Sequence, residues 1–197
     1  AEVMEELLAM DFPLMALKLC DMNPQLEEKK DFVVLRTEAM SSMLVGEWSR
    51  AEHCLSLAHS IEPQEIATYV NLIKVMLVDE RTEEAWQWVN KGLKIEANHY
   101  PLWDEILHLV ELDPPAKALK TIEELAKVHN SWAGMSLLAD VDESQNINHK
   151  VSYLETFFQQ GELSDEFLLE YTGALGSQGS FEKIPQIIWQ AKNLAKK

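Results

Sequence analysis

Apolar residues recur along the chain at intervals of three and four, the spacing that places them on one face of an α-helix. EVMEELLAM predicts a short first helix. DFP restarts the chain, with Asp11 as N-cap and Pro13 in the first turn of a helix through LMALKLCDM. Asn23-Pro24 closes that helix. Further helices are expected over about 25–45, 49–60, 64–78 and 83–95, with breaks at GEW, IEP and DERT. NHYP opens a helix through LWDEILHLVEL, which DPP breaks, and AKALKTIEELAKVH follows. Then come WAGMSLLAD, a polar loop VDESQN and a helix through HKVSYLETFFQQ. The last pair, SDEFLLEYTGAL and FEKIPQIIWQAKNLAK, is joined by a flexible GSQGS connection. No long run alternates apolar and polar residues, so the expected class is all-α.

Two of these helices carry one pattern. AEHCLSLAHSIEP and AWQWVNKGLKIEA, 34 residues apart, superpose Ala51 on Ala85, Leu55 on Val89, Ala58 on Gly92, Ile61 on Ile95 and Glu62 on Glu96. Small residues two turns apart on one helix face let a second helix approach, and the larger residue between them fills the space beside the contact. A hairpin that repeats at this period cannot bury its apolar face alone, so copies stack into a solenoid. The expected architecture is an α-solenoid array of antiparallel hairpins over about 1–23, 25–62, 64–97, 98–130, 131–161 and 164–197. It forms a single repeat domain, or a fragment of a longer protein.

Composition narrows the function classes. There are 33 acids against 17 bases, a formal charge of −16. Phosphate neutralisation needs a basic face, so nucleic acid is not an expected partner, and anionic membranes are disfavoured as well. The acids either solvate outer helix faces or attract a basic partner. Cys20 and Cys54 sit among apolar helical neighbours and read as buried free thiols, which fits a reducing, cytoplasmic setting. No apolar run is long enough to span a bilayer. The chain starts at Ala and reads as a processed or trimmed piece. Its first helix is barely two turns, too short to cover Leu14, Leu17 and Cys20, so preceding sequence or a partner chain is expected at that edge.

The repeat resembles the tetratricopeptide (TPR) family, whose first helix carries W-x2-L-G-x2-Y and whose second carries A-x3-F with a further small residue, then Pro. Trp103, Ile106, Leu107 and Val110 match the first-helix spacing, as do Trp132, Met135, Ser136 and Ala139. Ala51, Leu55, Ala58 and Pro63 match the second helix, and Ala85, Val89, Gly92 and Ala97 do so again. Gly46 and Trp48 precede Ala51 as Gly179 and Phe181 precede Ile184. Glu38 departs from the pattern, since it falls where the family has Leu. The resemblance implies a right-handed superhelical array with a concave face lined by first helices. Arg36, Met40, Met43, Asn71, Lys74, Asp104, Glu105 and His108 are the candidate protein-binding residues there. Family members that clamp a terminal carboxylate use several Lys, Arg and Asn residues. Here Arg36, Asn71 and Lys74 suit that role, but the next repeat offers acids.

Catalytic and metal chemistry find no footing. His53 and His59 lie on different helix faces, and Glu105-x-x-His108 has no second copy with which to build a di-iron site. His99, His129 and His149 fall near turns. No glycine-rich loop leads into Lys-Ser or Lys-Thr, and no serine sits in a G-x-S-x-G elbow. Trp86 and Trp88 flank Gln87, so both cannot face one core. The expected function is a non-enzymatic protein-protein interaction module or scaffold, without cofactor, metal or catalytic residues, that binds a protein or peptide segment. One alternative is a TPR-type chaperone or assembly factor for a secreted or complex-forming client. A second is an enzyme on a helical scaffold. Self-association through the terminal hairpins is a third possibility. A continuous exposed apolar groove would mark the chaperone, and a polar one the adaptor.

Overall fold

The computed structural model describes residues 2–23, 31–142 and 146–194, and these are all-α. They divide into two compact units, 1–96 and 97–197. The first holds α1 (Glu2–Ala9), α2 (Pro13–Met22), α3 (Phe32–Val45), α4 (Trp48–Ile61), α5 (Ile66–Val78) and α6 (Thr82–Ile95). The second holds α7 (Tyr100–Val110), α8 (Pro115–Val128), α9 (Trp132–Val141), α10 (Ile147–Gln159), α11 (Asp165–Gln178), a 3-10 turn (Phe181–Lys183) and α12 (Ile184–Leu194). Consecutive helices pack on one another within each unit. The first helices of neighbouring hairpins also touch, α1 against α3 and α7 against α9.

The small, large, small pattern is the packing seam. Ala51, Leu55, Ala58, Ala85 and Val89 are all 0% exposed, and Gly92 is buried. In the second unit helices approach closely at Gly134 of α9. A methyl group there would lie 2.5 Å from the Trp103 ring and 2.8 Å from the Ala126 methyl. Trp103 and Trp132 are buried, as hairpin core requires. Aromatic side chains also tie helices to the preceding turns. Tyr69 donates its hydroxyl to the Pro63 carbonyl at 2.6 Å, and Trp103, 34 positions on, donates its indole N–H to the Ala97 carbonyl at 2.8 Å.

Left-handed residues set the tight turns. Gly46 (φ 80°) ends α3 and Gly179 (φ 85°) ends α11. The following N–H groups, of Glu47 and Ser180, reach back to Ser42 O at 2.8 Å and Leu175 O at 2.9 Å, as the Schellman cap demands. Asp11 (φ 63°) and Glu80 (φ 56°) hold the same conformation after α1 and α5. Asp11 therefore terminates α1, and Phe12 takes the N-cap position of α2.

The other departures have local causes. Asp31 caps α3 by accepting from Val34 N–H at 3.1 Å, so that helix begins at Phe32 instead of running on from 25; residues 25–30 lie outside the described residues. The GSQGS connection is mostly helix, because α11 continues through Gly176 to Gln178 and only Gly179 turns. Residues 143–145 of the VDESQN loop lie outside the described residues, and α9 runs on to Val141. Leu17 and Cys20 are buried despite the short α1, while Leu14 stays exposed. Trp86 and Trp88 are both half-buried.

Glu38, the residue out of pattern, is buried with 5% of its side chain exposed. Arg50 of α4 donates to its Oε1 through Nε at 2.8 Å and Nη2 at 2.6 Å, and also to Asp21 of α2 at 2.8 Å. Burial, and then the Glu38 charge, push the neighbouring Cys20 thiol up to about 12, which makes it unreactive. His59 is another polar group in this unit's interior. Its ring meets Tyr69 and Trp88 edge-on at 5.1 and 5.2 Å, its Nδ1 is buried without a hydrogen-bond partner, and Lys91 sits 4.1 Å over the Trp88 ring. Burial, and then the Lys91 charge, hold the His59 pKa below its ordinary 6.5.

Three outcomes follow from this packing. In urea denaturation Ala51→Trp, Ala85→Trp and Gly134→Ala are each expected to lose about 1–3 kcal/mol by overpacking. Gly173→Ala, whose new methyl meets nothing within 4 Å inside α11, gains about 0.5–1 kcal/mol instead. Unchanged midpoints for the first three would refute the helix register. Arg50→Met leaves Glu38 buried without its cation and costs about 3 kcal/mol or more. Glu38→Leu costs less, because Arg50 keeps Asp21 and Glu47; the reverse ranking would contradict the pairing. For His59 the unfolded chain binds the proton first as pH falls through 6.5, so stability drops below that pH. His59→Phe should lose less stability than the parent between pH 7.5 and 5.5; equal losses would exclude His59 as the cause.

Candidate functional site

The residues expected on the first helices fall into stripes, each described within its own unit. On α3, Arg36, Met40 and Met43 follow one another at helical spacing. Met40 is 40% exposed, and Arg36 and Met43 are half-buried. Arg36 is already engaged: its Nη2–H donates to Glu5 Oε1 at 3.0 Å, and its guanidinium lies 5.8 Å over the Phe32 ring. On α5, Asn71 is half-buried and Lys74 exposed. Two apolar residues missed by the sequence reading continue these stripes, Leu44 at 61% and Val78 at 50% exposure. Their signal was the four-residue step from Met40 and from Lys74.

In the second unit Asp104 and His108 are exposed on α7, and His108 Nδ1 lies 3.5 Å from the Glu111 carboxylate. Glu105 does not share this stripe; it is buried, 6% exposed.

The second unit also gathers titratable groups that the sequence reading did not foresee. Lys150 of α10, whose side chain is only 13% exposed, donates to Asp140 at 2.7 Å and lies 2.6 Å from Glu170 Oε1. Ser136 donates its hydroxyl to the same Glu170 oxygen at 2.6 Å. Burial alone would lower the Lys150 pKa, but the two carboxylate bonds outweigh it and raise it. Glu170 goes the other way: burial raises its pKa, and the Lys150 and Ser136 bonds bring it below the usual value. Tyr100 is pushed up, by burial first and then by Glu170. One lysine is shared by two carboxylates on neighbouring helices, which suits cross-linking of helices better than proton transfer. Above the cluster Trp132 meets Tyr100 at 5.4 Å and Phe167 at 5.5 Å, so aromatic rings join α7, α9 and α11.

Of the turn histidines, His149 completes a helix cap with its side chain. His149 Nδ1 accepts the Asn146 N–H at 3.2 Å, while Asn146 caps α10 in return. Among the described residues no group of His, Cys, Asp and Glu is placed to hold a metal ion, and no helix is long and apolar enough to cross a membrane.

No protein-family model and no curated protein matches the chain. Solved structures do. A thermophilic TPR protein of Thermus thermophilus is 16% identical, with a TM-score of 0.52 over 88% of this chain and 96% of its own. MamA from Desulfovibrio magneticus RS-1 is 10% identical, with a TM-score of 0.46 over 99% of this chain and 92% of its own. YrrB, a TPR protein with an unusual peptide-binding site, is 16% identical, with a TM-score of 0.44 over 88% of this chain and 91% of its own. The first of these likenesses is one of fold, and it agrees with the buried small, large, small seams and the two buried hairpin tryptophans. The chain has the fold of a degenerate, TPR-like helical-repeat protein.

Proposed function

We propose that the chain is a non-enzymatic protein-binding scaffold that takes a partner segment along the exposed stripes of its first helices. One observation carries the reading. In the two near-regular hairpins, exposed apolar side chains gather on the first helices, as Met40 and Leu44 of α3 and Val78 of α5. The exposed positions of α6 are all polar: Glu83, Glu84, Gln87, Asn90, Lys91 and Lys94. On α4 they are Ser49, His53, Ser56 and Ser60, with Ile61 at the helix end. Apolar surface gathered mainly on one side of a hairpin marks the side that is covered.

The site residues of this proposal are Met40, Met43, Asn71 and Lys74, extended by Leu44 and Val78. Asp104 and His108 supply a polar stripe in the second unit. A carboxylate clamp is not favoured, since Arg36 is committed to Glu5. Methionine suits a surface that adapts to its partner. A net charge of −16 favours a basic one. The apolar side chains on α3 and α5 also support the second reading, a chaperone or assembly factor that shields an apolar segment of its client.

The test is affinity capture from native extract, followed by titration of the captured protein against the parent and a Met40→Ser/Leu44→Ser double variant. Both side chains are exposed, so melting should be nearly unchanged. Affinity is expected to fall about tenfold or more, in keeping with the loss of two apolar contacts. Undiminished affinity in a folded double variant would overturn the first-helix reading.

A further inference from the structure

In both units a first helix covers the hairpin before it: α3 packs against α1 and α2, and α9 against α7 and α8. Two exposed helix stripes, on α12 and on α1, lack such cover among the described residues. On α12, Pro185, Ile188, Trp189 and Lys192 recur at i, i+3, i+4 and i+7, and all are exposed, Trp189 at 68%. The face that α12 turns inward carries Ala191 with half-buried Ile184 and Ile187. On α1 the stripe is Val3, Glu6 and, just past the helix end, Met10, exposed throughout, while Met4 is buried. An end of a repeat array on which nothing stacks keeps a polar outer face. Neither stripe does so.

The two stripes differ in sign. Residues 183–197 hold four of the chain's 17 bases, Lys183, Lys192, Lys196 and Lys197, and none of its 33 acids. Lys183 and Lys192 are exposed and enter no ion pair among the described residues. The acids of that hairpin are Asp165, Glu166 and Glu170 on α11 and Glu182 in the 3-10 turn. Residues 1–11 reverse the balance, with Glu2, Glu5, Glu6 and Asp11 and no base. Glu5 is held by Arg36, but exposed Glu2, Glu6 and Asp11 enter no ion pair among the described residues. The one lysine of the hairpin is Lys18, on α2. A contact between two α12 stripes would set lysine on lysine, and one between two α1 stripes would set glutamate on glutamate. The unlike pairing brings opposite charges together.

We propose that copies of this chain associate end to end, the α12 stripe of one copy packing against the α1 stripe of the next, with Lys183 and Lys192 set against Glu2, Glu6 and Asp11. α1 is a first helix, so against α11 and α12 it takes the place that α3 takes against α1 and α2. Ile188 and Trp189 meet Val3 and Met10, and both apolar stripes leave water. The net charge of −16 on each copy does not prevent this. The screening length is about 8 Å at physiological ionic strength, so the charges near the contact decide, and these are opposite. The interface is heterologous, which leaves each copy one α1 and one α12 stripe for further copies. It goes beyond the partner surface on α3 and α5, and each can fail without the other.

The test is sedimentation equilibrium of the purified full chain over a concentration series at physiological salt. The weight-average mass is expected to climb above 22.5 kDa as concentration rises through the micromolar range. Trp189→Glu should weaken association about tenfold or more. Glu6→Lys and Lys192→Glu should each weaken it about threefold or more, because each sets like charges together. All three side chains are exposed, so circular dichroism should show unchanged helix content. An equimolar mixture of the Glu6→Lys and Lys192→Glu chains should regain association, since each supplies the charge that the other lost; a variant that merely unfolds cannot do this. Met40→Ser/Leu44→Ser should change association less than about twofold. The end-to-end contact is overturned if the parent stays monomeric throughout, even where it binds phosphatidylserine vesicles, which would assign the α12 stripe to a lipid surface. It is also overturned if only one of the two charge reversals weakens association, as a two-fold symmetric contact would give, or if the mixture stays dissociated. Dissociation of the Met40/Leu44 variant alone would overturn it too, by moving the contact to the surface on α3.

Discussion

Among the described residues, the helix seams are built on side chains that are a single methyl or missing, at Ala51, Ala58, Ala85, Gly92 and Gly134. That constraint governs which hairpins nest. Where α4 and α6 present Ala or Gly at both ends of the seam, the positions between are sealed from water. Where α9 presents Gly134 to Trp103, a ring occupies space that any Cβ would need. Between α7 and α8, where Pro114 leads into the helix without a left-handed residue, a cleft lined by Leu107, Val110 and Leu119 remains. The burial that stabilises each unit comes from large side chains such as Leu55, Val89 and Trp103, but small residues decide whether those side chains can be covered.

Each unit carries an internal ion pair across its seams. Glu38 with Arg50 ties α3 to α4, and through Asp21 to α2. Lys150 with Glu170 ties α10 to α11, and through Asp140 to α9. Such pairs add little net stability over apolar packing, since both partners lose water. They do discriminate between registers. A helix slipped by one turn would bury a carboxylate with no cation. Apolar seams alone tolerate such slips more readily, and degenerate repeats have weaker apolar seams than regular ones.

Much of the fold was legible because packing in a hairpin array is local and periodic. The 34-residue echo from Ala51 to Ala85 located the seams, and Gly46 and Gly179 were matched as equivalents before their backbone angles were known. Pairings between distant helices were not legible. Glu38 looked only like a flaw in a leucine position, because Arg50 becomes its partner through the angle at which α4 returns along α3. Asp11 read as an N-cap, since aspartate suits both that position and the left-handed turn it takes. Glu105 was placed on the concave face because the resemblance puts first helices there; neighbouring residues of a helix lie about a quarter turn apart, which separates buried Glu105 from exposed Asp104. Leu44 and Val78 are legible in the pattern, one helical turn beyond Met40 on α3 and Lys74 on α5.

The carbonyl of Ala97 accepts twice, from the Trp103 indole at 2.8 Å and from the Ser131 hydroxyl at 2.6 Å. Ser131 also donates to the Asn98 side chain and accepts the Gly134 N–H, so the cap of α9 is anchored in the linker that precedes α7. Detaching α9 would strip one of the two donors from that oxygen, break the Ser131–Asn98 bond, and uncover Trp103 at the same moment. Fraying in this unit therefore cannot proceed one helix at a time across that joint. Segments before and after α8 are bound to exchange their amide protons with solvent together, as one cooperative foldon.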